Sequence, residues 1–334
     1  MIFLQLPEKE KIALINQMHE ENNLLQVIIE KDIWIVSVLR ALFSLPYSNH
    51  LSFKGGTSLS KCWNLIERFS EDVDIAINRE FFGFMGDKFT VKQISKNLRK
   101  ATCTFIRTNL QYDLAQQMEA IGIPINLFTV KVNITPITTT DPEKVFIEYK
   151  SVFNDNPYIR KVVVLEISGR SMKEPLQKVP INSYIDEHFP QSPFIENKFV
   201  VNAVVPERTF LEKICLLHEE LFKPTESKRL ERMSRHLYDL ERIIDTPIAE
   251  NAINNKDLYQ SIIAHRRTFI ALKDFDYDTL CPALINFIPS PNVIMEWEDD
   301  YKKMKSMIFG ESLPFNILID KLKEFNERMN TIIW

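Results

Sequence analysis

The sequence predicts an α+β protein, with a mixed sheet and helices up to about residue 205 and an all-helical part after it. Two observations carry this. Short apolar segments of strand character recur between residues 51 and 204, the strongest being Val162-Val163-Val164-Leu165-Glu166-Ile167, five apolar residues around one acid. From Glu207 onward apolar residues instead recur at helical spacing almost to the end, and Pro206 marks the change. The expected domains are therefore 1–205 and 206–334.

In chain order, residues 7–45 read as two helices. The second, over 24–45, places Val27, Ile28, Trp34, Ile35, Val38, Leu39 and Leu42 on one face, and Pro46 stops it. Leu51-Ser52-Phe53 reads as a short strand, Lys54-Gly55-Gly56-Thr57 as a turn, and 58–69 as a helix opening off the two glycines. A strand follows over 73–77, then a long helix over 90–120. Further strands are expected at 127–134, 145–149, 162–167, 177–181 and 199–204. The helices of the second part are expected at 207–222, 228–244, 256–270, 279–287, 293–308 and 314–331.

Composition sets bounds on function. With 334 residues, 45% hydrophobic and 26% charged, the chain is long enough to bury a core without staples. A net charge of -4 argues against a basic coat but leaves room for a local basic groove. Cys62, Cys103, Cys215 and Cys281 are scattered with no CxxC pair, which suits neither a zinc site nor a disulfide framework and fits a reducing compartment. The opening MIFLQLPEKEKIALINQ carries charge too early for a signal peptide. No apolar run reaches the roughly 18 residues of a membrane span. A cytoplasmic protein without a membrane partner is expected.

The chemistry is concentrated in Phe53-Lys54-Gly55-Gly56-Thr57-Ser58 and Phe69-Ser70-Glu71-Asp72-Val73-Asp74-Ile75. Two glycines between a strand and a helix let the backbone approach a ligand closely. The helix start behind them offers N–H groups and a positive dipole end to phosphate, and Thr57 and Ser58 add hydroxyls. Asp72 and Asp74 alternate along a strand, so both face one side while Val73, Ile75 and Ile77 bury the other. Paired carboxylates repel unless something positive sits between them. Mg²⁺ (or Mn²⁺), which takes one or two carboxylates and completes its shell with water and phosphates, is the natural occupant. Glu166 can join them if its strand lies alongside.

Each feature also has an ordinary reading. A GG pair is usually a turn, and a DxD pair a solvated strand edge. Lys213, flanked by Leu211, Ile214 and Leu216, would ordinarily snorkel to solvent. The run Lys228, Arg229, Arg232, Arg235, His236 and Arg242 would ordinarily be a solvated face, and Asp239 a partner for a nearby arginine. The functional reading makes that run the positive wall of a cleft for triphosphate or RNA, which His265, Arg266 and Arg267 extend. The order of strand, GGT, helix, DxD strand and isolated acid on a third strand favours the functional reading.

FKGGTSLSK followed by RFSEDVDIAI resembles the AbiEii/AbiGii toxin family of nucleotidyltransferases, within the polymerase-β-like superfamily. Glu30-Lys31-Asp32-Ile33-Trp34 upstream is similar to the family's EKD-aromatic helix. Residues 206–213 (PERTFLEK), residues 234–240 (SRHLYDL) and a tail segment around Asp300-Tyr301 and Phe309-Gly310-Glu311 are similar to its later motifs. The resemblance implies a polymerase-β-like core whose cleft the helical domain closes. It also implies the toxin of a type IV toxin–antitoxin or phage-defence system, with an NTP as substrate, RNA (notably tRNA) as acceptor, and a cognate antitoxin as partner. By the same resemblance Asp72 and Asp74 bind metal, Lys213 holds the triphosphate and Asp239 helps assemble the site. The superfamily usually has Gly-Ser where this chain has Gly56-Thr57, and its gap to the DxD is shorter; threonine retains the hydroxyl.

The expected catalytic residues are thus Asp72, Asp74, Glu166, Lys213 and Asp239. Asp72, Asp74 and Glu166 are the metal ligands, and Gly55, Gly56, Thr57, Ser58 and Lys213 bind the nucleotide. Arg229, Arg232 and Arg235 bind RNA. Two alternatives stay open: protein nucleotidylation or phosphorylation at the same site, and a non-catalytic nucleotide- or RNA-binding module.

Overall fold

A computed structural model describes residues 1–84, 91–132, 143–154, 159–171, 174–223 and 228–333. Helices α1 (Ile2–Gln5), α2 (Glu8–Asn22) and α3 (Gln26–Phe43) open the chain, followed by β1 (Leu51–Lys54), α4 (Gly55–Lys61) and β2 (Asp72–Asn78). Helix α5 (Val91–Phe105) runs through a π turn at Ile106–Leu110 into α6 (Gln111–Ala120). Strands β3 (Phe128–Val132), β4 (Glu143–Tyr149), β5 (Val162–Ser171) and β6 (Leu176–Ile181), helix α7 (Tyr184–His188) and β7 (Phe199–Val204) complete the α/β part. The rest of the described chain is helical: α8 (Pro206–Phe222), α9 (Ser234–Ile244), α10 (Pro247–Asn254), α11 (Lys256–His265), α12 (Ile294–Met304) and α13 (Phe315–Asn330). The fold class is α+β.

The seven strands form one mixed sheet in the order β3-β4-β5-β2-β1-β7-β6. β2 runs antiparallel to β1 and parallel to β5, and β1 runs parallel to β7. The sheet centre is apolar: Phe53, Val73, Ile75, Ile77, Val163, Leu165 and Ile167 are buried. Helix α3 is buried on nearly every side, from Ile28 to Leu42, so its apolar content reflects a core helix more than a one-sided stripe.

Two compact units emerge. One comprises Met1–Cys62 and Ser70–Val204, the other Trp63–Phe69 and Val205–Trp334. The second unit thus borrows a short segment from inside the α/β sequence. The expected helix over 58–69 is corrected accordingly. It starts earlier, at Gly55, and ends at Lys61, and Asn64 adopts a left-handed backbone at φ 51°. The segment beyond pairs with the second unit's tail: Phe69 N–H donates to the Met307 carbonyl at 2.8 Å, and Phe309 N–H to the Glu67 carbonyl at 2.9 Å. Backbone groups satisfied there are lost to a helical ladder.

Other expectations shift less. The helix expected over 279–287 is only a 3-10 turn at Tyr277–Leu280, and α7 and α10 were not foreseen. Residue 90 of the expected long helix and residues 133–134 of the expected strand lie outside the described residues.

Candidate active site

The first unit holds the glycine turn and the acids. Gly55 sits at φ 77°, the left-handed region that costs any side chain strain. A Cβ built there would lie 2.0 Å from Asp74 Oδ2. Gly55 is therefore required twice, for its backbone angle and because the Asp74 carboxylate rests against its Cα. Asp72 and Asp74 are half-buried while Val73 and Ile75 between and beyond them are fully buried, as the two-residue period demands.

Strand β5 does lie beside β2, and it brings Glu166 into register with Asp74. Lys54 on β1 is also opposite Asp74, and Lys144 on β4 opposite Glu166. Four neighbouring strands thus carry one charged row, Lys54–Asp74–Glu166–Lys144, two acids flanked by two bases. Lys144 Nζ is 2.6 Å from Glu166 Oε1, so Glu166 is not the lone acid its apolar strand suggested. Lys54 Nζ is 3.8 Å from Glu174. Among the described residues no three His, Cys, Asp or Glu side chains converge as a metal-holding group. Of the expected set, Asp72 and Asp74 share one face of β2, and Glu166 stands in register with Asp74 on β5 while one of its oxygens pairs with Lys144.

The hydroxyls expected to cradle phosphate lie inside the fold. Thr57 and Ser58 are buried. Thr57 Oγ1 donates to the Asp72 carbonyl, so its proton ties α4 to the start of β2. Gly55 and Gly56 keep the backbone of the turn, on a helix of less than two full turns.

A second layer went unnoticed as chemistry in the sequence. Glu30, Lys31 and Asp32 are consecutive on α3 and all buried. Glu30 accepts from Ser151 Oγ and, at 2.8 Å, from Val152 N–H. Lys31 Nζ donates to Glu71 at 2.9 Å. Asp32 meets Lys61 at the end of α4 at 2.7 Å and accepts from Tyr184 N–H. Lys61 in turn stands 3.5 Å from the centre of the Tyr184 ring. Three successive charges anchor the loop after β4, the residue before Asp72, and the helix after the glycine turn.

The second unit holds the later motifs. Asp239 is fully buried, and Arg68 grips it with both nitrogens, Nε–Oδ1 2.6 Å and Nη2–Oδ2 2.7 Å. Lys213 Nζ lies 2.8 Å from Asp239 Oδ2 and 3.4 Å from His236 Nδ1. Lys213 therefore turns inward and does not snorkel. Burial would push the Asp239 carboxyl up, but Arg68 and then Lys213 override it and hold it well below the usual carboxylate range. Burial lowers Lys213 despite Asp239. Burial, with Lys213 and Arg235 nearby, holds His236 neutral well below its ordinary value, so the ring accepts from the lysine. Arg68 opens the RFSEDVDIAI segment, but nothing in that segment marks it as the partner of Asp239.

The expected basic helix over 228–244 is corrected. It begins at Ser234, because two acids capture the backbone before it. Glu220 accepts from Arg229 N–H at 2.6 Å and from its guanidinium. Asp300 accepts from Arg232 N–H at 2.6 Å and Ser234 N–H at 2.9 Å, with Arg232 at φ 63°. Arg229, Arg232 and Arg235 consequently do not share a helix face; only Arg235 lies on α9. Arg266 does not extend a wall either: it is buried in a two-pronged pair with Glu219, both contacts 2.6 Å. His265 is buried, and Arg267 pairs with exposed Asp278.

No helix among the described residues is long and apolar enough to cross a membrane. The family described as "Nucleotidyl transferase AbiEii toxin, Type IV TA system" matches residues 37–329. No curated protein matches the chain. Among solved structures, it is similar to MenT4, a nucleotidyltransferase toxin from Mycobacterium tuberculosis H37Rv, at 16% identity and a TM-score of 0.44, covering 97% of this chain and 98% of that one. JHP933 from Helicobacter pylori is similar at 16% identity and a TM-score of 0.38, covering 92% and 98%. A putative nucleotidyltransferase from H. pylori is similar at 14% identity and a TM-score of 0.43, covering 92% and 96%. Likeness at this level assigns no residue and no substrate.

Proposed function

Since the chain belongs to the AbiEii nucleotidyl transferase toxin family of type IV toxin–antitoxin systems, we propose that it transfers a nucleotide from an NTP to an RNA hydroxyl in a metal-dependent reaction, with tRNA as the acceptor and a cognate antitoxin as partner. The observation that carries the metal and the site is the two-carboxylate face of β2 set against Gly55. Its donors are hard oxygens on one face, the set a Mg²⁺ or Mn²⁺ ion takes together with water and phosphate. Such an ion supplies charge neutralisation at the phosphates and lowers the pKa of the attacking hydroxyl.

The chain's own residues do the rest. Asp72 and Asp74 would hold the ion. Glu166, in register with Asp74, would add a third carboxylate. The Gly55-Gly56 backbone, free of side chains, takes the triphosphate, and Thr57 fixes the strand that carries the acids. Lys213 neutralises the triphosphate, with Asp239 orienting its ammonium, in the roles the family resemblance implies. Arg229, Arg232 and Arg235 contribute positive charge towards RNA. Positioning and charge stabilisation supply most of the rate.

The test is incubation with Mg²⁺ and each NTP radiolabelled at the α-phosphate, with total tRNA as acceptor. Label is expected on the RNA, and Asp72→Ala or Asp74→Ala is expected to lower the rate about a thousandfold or more. Either variant within tenfold of wild type would sink the assignment. Label on protein would move the substrate and keep the site.

A further inference from the structure

The buried pair Lys31–Glu71 lies outside the machinery described so far, yet it touches that machinery through the chain. Glu71 immediately precedes Asp72, so three carboxylates fall within four residues, at Glu71, Asp72 and Asp74. Three clustered acids do not all face one cation by default. They repel, and the wrong one can compete for it. Lys31 removes one of the three: its side chain is 1% exposed, and its ammonium donates to Glu71 Oε1 at 2.9 Å. The charge of Asp72 also acts on Lys31.

The lysine itself is rigidly placed. It rides on α3, a helix buried from Ile28 to Leu42, between Glu30 and Asp32, which are anchored to the loop after β4 and to Lys61. Burying a lysine and a glutamate is costly where apolar residues of similar volume would serve as well. Stability alone therefore gives no reason for the pair, and its place next to Asp72 gives one.

We propose that Lys31 is a positioning residue for the cation site: by holding Glu71 inward it fixes the start of β2, so that Asp72 and Asp74, and not Glu71, present their carboxylates to the divalent ion. The inference rests on the reading of Asp72 and Asp74 as metal ligands. It acts through Glu71 and the backbone, with no contact to substrate.

The experiment uses the full chain and Mn²⁺ as the probe, with free Mn²⁺ followed by electron paramagnetic resonance, beside thermal melting and steady-state kinetics. The double variant Lys31→Met/Glu71→Met replaces the pair by apolar side chains and is expected to fold. Its Mn²⁺ affinity and kcat are expected to fall by about tenfold or more, with KM for the NTP within about threefold. Lys31→Arg, which can still donate to Glu71, is expected to restore both. A double variant that melts like wild type and keeps Mn²⁺ affinity and kcat within about twofold would overturn the inference. Should the double variant fail to fold, Glu71→Gln decides, since it keeps an acceptor for Lys31 but loses the charge. Affinity within about threefold of wild type supports positioning by the hydrogen bond, and a larger loss overturns it in favour of a direct role for Glu71. Wild-type Mn²⁺ binding that is indifferent to Asp72→Ala would instead overturn the metal reading, which is a separate failure.

Discussion

The two units treat their motif carboxylates in opposite ways. Asp74 in the first unit is half-buried, rests against a glycine, and sits in a row where bases flank the acids at the ends. Asp239 in the second is fully buried and already neutralised by Arg68 and Lys213. The first arrangement suits a carboxylate that receives an incoming cation. The second suits a carboxylate that organises cations, since two share it and one positive charge is left over. Charge content is similar; the difference lies in burial, since Asp74 still reaches solvent and Asp239 does not.

This contrast predicts that the second unit's acid matters most for stability. Arg68→Met would leave buried Asp239 with Lys213 alone and is expected to cost about 3–5 kcal/mol in chemical denaturation. Asp74→Asn, at a half-exposed site, is expected to cost under about 1 kcal/mol. Equal losses would dissolve the distinction. Gly55→Ala sharpens it from the other side. The added methyl meets the Asp74 carboxylate and carries left-handed strain, so activity is expected to fall about a hundredfold through misplacement of that carboxylate. A loss confined to melting temperature, with kcat intact, would count against the close approach being functional.

A pH effect of intermediate size belongs to the second unit. Burial pushes His218 down to about 4, and its ring bonds Asn286 and Thr279. As its folded-state pKa lies below the unfolded value near 6.5, the unfolded chain takes up the proton first. The stabilisation is therefore fully present above about pH 6.5 and lost as pH falls towards 4, of order 2 kcal/mol across that window. Comparing denaturation midpoints of wild type and His218→Asn at pH 7 and pH 5 checks it: the gap between them should narrow on acidification.

Local pattern made the strand–GGT–helix–DVD order and the isolated Glu166 legible, because each lies within one element and its period. What stayed hidden depends on partners far along the chain. The helix after Gly55 stops at Lys61 because residues 63–69 are claimed by the tail near Met307 and by Asp239. Lys144 meets Glu166 through a strand register that no spacing encodes. Arg229 and Arg232 leave the helical face because Glu220 and Asp300 hold the backbone there. Glu30-Lys31-Asp32 was visible as a motif, but three adjacent charges give no hint that all three are buried.

The smallest predicted effect tests how the first unit's site is assembled. Thr57 Oγ1 spends its proton on the Asp72 carbonyl, so the hydroxyl is part of the scaffold that sets β2. Thr57→Val keeps the branched shape but leaves that carbonyl without its donor, and is expected to cost about 1 kcal/mol of stability. The rate should drop modestly, through kcat, as the carboxylates lose register, while KM for the NTP holds. Thr57→Ser, which retains the hydroxyl, should recover both. A hydroxyl that instead bonded a phosphate would give the opposite signature, an increase in KM at unchanged stability. Measuring the two parameters on one pair of variants therefore tells whether this threonine serves the nucleotide or the strand beneath it.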